Sequence, residues 1–253
     1  MAVINKSLHI SELRNTFAHG EFISVSDILD FYSRFEKDIK RSTVDWRIYE
    51  LNRIGILHRT DRGKYTLGET DKDHFFPEMS KSLKQLYLEI RRQFPFIDLC
   101  IWSTKLLNEF MLHQPGRFYT ILETEKDASE SVFHNLKEHG KDVYLDPSQD
   151  FLDRYVIHQP EPVVIINLTT EAPVQQIDNV KTVTLEKMLV DIYCDKVIFS
   201  ANQGTEMKQI YRTAFDKYYV SERRILRYAS RRNKKDEIEK LINEILRNGN
   251  KFY

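Results

Sequence analysis

Between residues 20 and 68 the apolar residues pass from helical spacing to strand alternation, and that ordered change constrains the fold more than any other feature. Residues 7 to 18 place Ile10, Leu13 and Phe17 at helical spacing, with Gly20 where a helix stop belongs. Ser24, with Asp27 three residues on, offers a capping-box start, and Val25, Ile28, Leu29, Tyr32 and Phe35 continue one apolar stripe. Ser42 and Asp45 repeat the cap signal, and Val44, Ile48 and Leu51 form a third stripe that ends at Gly55. Ile56 to Leu67 then predicts two short strands around Asp61-Arg62-Gly63-Lys64, with glycine where a positive φ is needed. Helices followed by a hairpin in this order predict a winged helix-turn-helix over residues 1–70.

In such a domain the third helix enters the major groove, while the hairpin reaches backbone or minor groove. The candidate DNA contacts are therefore Lys40, Arg41, Thr43, Trp46, Arg47, Tyr49 and Arg53 around the third helix, and Arg59, Arg62 and Lys64 in the hairpin. Trp46, Tyr49, Glu50 and Arg53 are expected on the outward face, with Arg47 at its flank. The chain has 38 basic and 38 acidic residues, so no global field draws it to nucleic acid. Residues 37 to 64, however, hold eight basic against four acidic residues. Arginine suits guanine edges, and hairpin cations suit phosphates. The same pattern also suits a protein-docking module, with Trp46 and Tyr49 as packing residues.

Residues 71–78 are charged, contain Pro77 and lack periodicity, which predicts a linker. A second domain is expected over residues 79–253. Leu83, Leu86, Tyr87 and Ile90 mark a helix; Asp98 to Trp102 and Tyr119 to Thr124 read as strands, with helices over 104 to 112 and 128 to 138. Val143 to Leu145 and the β-branched run Val163 to Leu168 add strands, the latter buried on both faces. From Leu185 the period is helical to the C-terminus. The expected fold class is α+β: a winged helix-turn-helix followed by an α/β domain with a helical C-terminal region. Glu222 to Lys235 forms a second basic patch of Arg223, Arg224, Arg227, Arg231, Arg232, Lys234 and Lys235 against one acid. Either it meets an anionic partner or it is a solvated face with guanidinium groups packed on tyrosines.

Catalytic signatures are sparse. Asp98 with Glu123 and Glu125 suggests the carboxylate set of a metal-dependent nuclease, but Glu125 stands where that chemistry wants lysine, and Lys126 points the other way. The eight histidines form no ligand pair, neither phosphate-binding glycine loop is present, and Cys100 and Cys194 sit in apolar sequence. No enzyme activity, metal or cofactor is expected. A reduced, cytoplasmic protein is expected, with no membrane role, because the apolar runs fall far short of the roughly 20 residues a spanning helix needs.

Three phrases, Asn52-Arg-Ile-Gly-Ile-Leu-His-Arg-Thr-Asp-Arg-Gly-Lys-Tyr65, Leu185-Glu-Lys-Met-Leu-Val-Asp191 and Tyr228-Ala-Ser-Arg-Arg232, resemble the AbiEi family of bacterial abortive-infection antitoxins. The resemblance implies an antitoxin of a toxin-antitoxin pair that represses its own promoter, with double-stranded DNA as one partner. A nucleotidyltransferase-like toxin would be the functional counterpart. The loop between the second and third helices is longer and more charged than that family's compact version.

Overall fold

The computed structural model describes residues 8–17, 22–68, 72, 74–116 and 118–249, and the chain divides into two compact units, Met1–His74 and Phe75–Tyr253. The architecture is mixed α+β with several sheets.

The first unit runs α1 (Ile10–Phe17), β1 (Ile23–Ser24), α2 (Val25–Ser33), α3 (Arg41–Arg53), β2 (Leu57–Asp61) and β3 (Lys64–Leu67). Gly20 lies outside the described residues. The Ser24 hydroxyl accepts the Asp27 N–H at 3.2 Å and the Asp27 carboxylate accepts the Ser24 N–H at 2.8 Å, so two otherwise orphaned donors are satisfied at the start of α2. The Ser24 hydroxyl also donates to the Asp27 carboxylate at 2.7 Å, and this bond, followed by the one from the Ser24 N–H, holds the Asp27 carboxyl below its ordinary range. Leu13, Ile28, Phe31, Val44 and Leu51 are buried, and the buried Tyr32 hydroxyl donates to the Leu8 carbonyl at 2.7 Å.

Helix α3 starts one residue before the expected Ser42 cap. Lys40 stands at its N-cap without a side-chain bond, because Arg41 is already helical and pairs with Asp45 one turn on, at 3.1 Å. Gly63 takes φ +72° in the β2–β3 turn, as its predicted role requires. Gly68 is fixed by contact instead, since a Cβ there would stand 2.3 Å from the Gly55 carbonyl oxygen. Strand β1 pairs antiparallel with β3, Ile23 opposite Tyr65, and makes a three-stranded sheet that the apolar pattern did not foretell.

The second unit opens with α4 (Lys81–Gln93), β4 (Leu99–Ser103), β5 (Thr120–Thr124), α5 (Lys126–Glu138), β6 (Val143–Leu145), α6 (Gln149–Arg154) and β7 (Val163–Asn167). A hairpin of β8 (Val174–Ile177) and β9 (Val180–Val183) precedes α7 (Leu185–Cys194), α8 (Thr205–Lys217), α9 (Glu222–Arg231) and α10 (Lys235–Gly249). The main sheet has order β4-β5-β7-β6; β5 and β6 run parallel to β7, and β4 runs antiparallel to β5.

Alternation along β4 sorts its side chains to two cores. Leu99 and Ile101 meet α4 and α5 through Leu83, Tyr87, Ile90, Val132 and Leu136, whereas Cys100 and Trp102 meet the C-terminal helices through residues such as Met188, Tyr211 and Tyr228. The sheet is thus covered by helices on both faces. The expected helix over 104 to 112 is a short 3-10 turn, Thr104–Glu109, tied back to β5 by the Thr104 N–H bond to the Tyr119 carbonyl at 2.9 Å. Phe75 falls in the expected linker yet is buried in the second core against Phe110 and Tyr218. Among the described residues no helix is long and apolar enough to cross a membrane.

Ser24→Ala removes the α2 cap. It should lower the stability of the first unit by about 1 kcal/mol, read as a shifted urea midpoint at unchanged slope.

Candidate nucleic-acid interface

Helix α3 has two faces set by its 3.6-residue period. Val44, Arg47, Ile48 and Leu51 turn inward. Trp46 and Tyr49, 48% and 64% exposed, share the opposite face, with exposed Lys40 and Arg41 at the start of the helix and half-buried Thr43 beside them. The hairpin exposes Arg59, Arg62 and Lys64. Lys64 also lies over the ring of Phe22, 5.8 Å from its centroid, and Phe22 is itself exposed. Phe22 escapes sequence reasoning because it precedes the unforeseen strand β1. The Arg53 side chain lies outside the described residues.

Two expected outward residues are corrected. Arg47 is only 4% exposed: its guanidinium sits 4.4 Å from the centroid of the Tyr32 ring and pairs with Glu36. It is a packing residue of the first unit and not a surface contact. Glu50 is likewise buried. The inward face of α3 is therefore wider and more polar than its apolar stripe suggests.

The second basic patch is largely neutralised by acids from elsewhere in the chain. Arg227 and Arg231 both bind Glu171, the former at 2.7 Å; Arg224 reaches the buried Glu186 at 3.4 Å; Lys234 pairs with Glu237 at 2.7 Å. Arg232 is drawn inward to Asp191 and Asp195 at 3.2 and 2.6 Å. Arg223 and Lys235 are exposed. The run is a line of clamps between helices and turns, so its formal charge overstates its outward field.

Arg232 belongs to a larger buried cluster. The Lys187 ammonium donates to both oxygens of Glu123 at 2.6 Å and to Asp191; Trp102 Nε1–H donates to Glu123 at 3.0 Å, and the Tyr228 hydroxyl to Asp191 at 2.8 Å. Burial alone would depress the Lys187 pKa, but Asp191 and Glu123 outweigh it and hold the amine well above its ordinary value. Burial pushes Glu123 upward, with Lys187 opposing, and also raises Asp195. An amine held charged at neutral pH serves there as neither nucleophile nor base. Cys100 beside it is buried, which raises its thiol pKa, and burial brings Cys194 to about 11. Neither thiol is activated.

The three carboxylates weighed for nuclease chemistry serve separate partners. Glu123 faces Lys187, Asp98 binds Lys181 at 2.6 Å, and Glu125 accepts the Asp98 backbone N–H at 2.6 Å. Among the described residues no three His, Cys, Asp or Glu side chains gather as a metal site.

Fold and surface define a two-unit α+β protein with an aromatic and basic helix face on its first unit. The chain belongs to a family of unknown function, DUF6577, whose model matches residues 43–248, from α3 through α10. A search of curated proteins finds no match.

Lys187→Met leaves Glu123 and Asp191 buried beside each other without their shared cation and should cost about 3 to 5 kcal/mol, with partial recovery when Glu123→Gln is added. Because the folded pKa of Lys187 lies above its ordinary 10.5, its stabilisation is whole below that pH and is lost as pH rises through the folded value. Denaturant titrations between neutral and strongly alkaline pH should show that loss in the native protein and not in the double variant.

Proposed function

We propose that this protein is a cytoplasmic, DNA-binding transcriptional regulator that represses its own promoter, with the first unit acting as a winged helix-turn-helix. The observation that carries this is the outward face of α3, with Trp46, Tyr49, Thr43 and Arg41, together with the exposed hairpin cations Arg59, Arg62 and Lys64. Three helices followed by a hairpin, with β1 completing the sheet, support the same reading. In it α3 lies in the major groove, Tyr49 and Thr43 approach base edges, and the hairpin holds phosphates. The antitoxin role, set against a nucleotidyltransferase-like toxin, rests on the resemblance to the AbiEi family alone. The alternative of a metal-dependent nuclease with a winged-helix targeting domain is less favoured, because Glu123, Asp98 and Glu125 are engaged with different partners.

Exposure of Trp46 and Tyr49 on one helix face also suits protein docking, because large aromatics anchor such interfaces. The two readings part in a salt series comparing the duplex upstream of the protein's own gene with random duplex. Regulation requires tighter binding to the upstream duplex. Absence of binding to either duplex at about 50 mM salt would overturn it in favour of docking.

Arg62→Ala and Lys64→Ala should each weaken both duplexes alike and shallow the salt slope by about one unit. Tyr49→Ala should instead narrow the ratio of upstream to random affinity by about tenfold, at unchanged slope.

A further inference from the structure

A cleft of about 380 Å³ opens in the second unit between the 3-10 turn Thr104–Glu109, residues 115, 116 and 119, and the 198–202 turn. Its size falls within the range of small-molecule sites. Leu107, Met111, Tyr119 and Phe199 supply apolar walls, and two buried polar side chains break them: Asn202, 6% exposed, and Thr104. The Asn202 amide donates to Met111 Sδ at 3.1 Å, and a thioether is a weak acceptor that a carbonyl oxygen outcompetes. Thr104 Oγ1 accepts the Tyr119 N–H at 2.9 Å, which leaves its hydroxyl hydrogen as a second donor. The described residues that line the cleft are otherwise mainly apolar and include no Lys, Arg or His. Asp153, the one acid among those residues, is exposed, and its two oxygens share the Gln149 amide N–H group at 3.0 and 3.1 Å.

We infer that this cleft binds a mainly apolar small molecule through a carbonyl oxygen, which takes its hydrogen bonds from Asn202 and Thr104. The inference does not depend on the DNA-binding reading, since it concerns the second unit alone.

The cleft has its own reporter. Trp102, buried, stacks on Phe199 with ring centroids 5.7 Å apart, and the only other tryptophan, Trp46, can be silenced as Trp46→Phe. The full chain with that substitution would be titrated with 4-tert-butylcyclohexanone and with the hydrocarbon in which =CH2 replaces its carbonyl oxygen. The ketone should give a saturable change in Trp102 emission and bind more tightly than the hydrocarbon. Gly116 is exposed at the mouth, and a Cβ there meets nothing within 4 Å, so Gly116→Phe should block the cleft, abolishing the response at an unchanged melting temperature. Asn202→Leu should weaken the ketone about fivefold, the equivalent of one neutral hydrogen bond, and leave the hydrocarbon unaffected. A response that is absent in the native cleft, that persists undiminished in Gly116→Phe, or that weakens equally for both probes in Asn202→Leu would overturn the proposal.

Discussion

One amine holds the second unit in register. Lys187 reaches from α7 to Glu123 on β5 and to Asp191 one turn along its own helix, and Asp191 in turn gathers Tyr228 and Arg232 from the end of α9. In a dry interior each of these charges alone would be expensive, and together they fix the rotation of α7 against the sheet. A rotation of that helix by one residue would put Met188 or Glu186 opposite Glu123 and strand the carboxylate. The apolar residues around the rest of the helix, Met188, Leu189 and Ile192 among them, fill the space that this register creates. Buried ionic groups thus serve uniqueness of packing here, while the hydrophobic area supplies most of the driving force.

The first unit uses the same device at smaller scale. Arg47 points inward, so its planar group covers the face of Tyr32 and its charge meets Glu36 near the surface. The inward Arg47 sets which residues of α3 remain outside. Trp46 and Tyr49 face outward because Val44, Arg47, Ile48 and Leu51 take the interior positions of a 3.6-residue period.

The parts of the fold that were legible in the sequence are those fixed by neighbours along the chain. The Ser24–Asp27 cap, the Gly63 turn and the strand β4 depend on residues within a few positions of one another. The β8–β9 hairpin carries such a local signal too: Asp178 and Asn179, both at positive φ, mark a tight turn between its strands. Arg47 was illegible because its partners lie on another helix and in the turn that follows it. The basic run after Glu222 misled for a related reason. Its acids, Glu171, Glu186, Asp191 and Asp195, are contributed by earlier segments, and a window of composition cannot weigh charges that only the fold brings near. Glu123 showed the reverse, a carboxylate that suggested catalysis in sequence and anchors a lysine in space.

The shape of the main sheet also bears on how the molecule avoids unwanted company. Its outer strand β6 is only three residues long and is followed at once by Asp146, at positive φ, and by Pro147, while β9 lies beside β4 at the opposite margin. A stubby border interrupted by proline offers few unpaired amides to a foreign strand. Recruitment of another chain by sheet extension is therefore disfavoured on that side, and aggregation through the β-rich centre has little template from which to start.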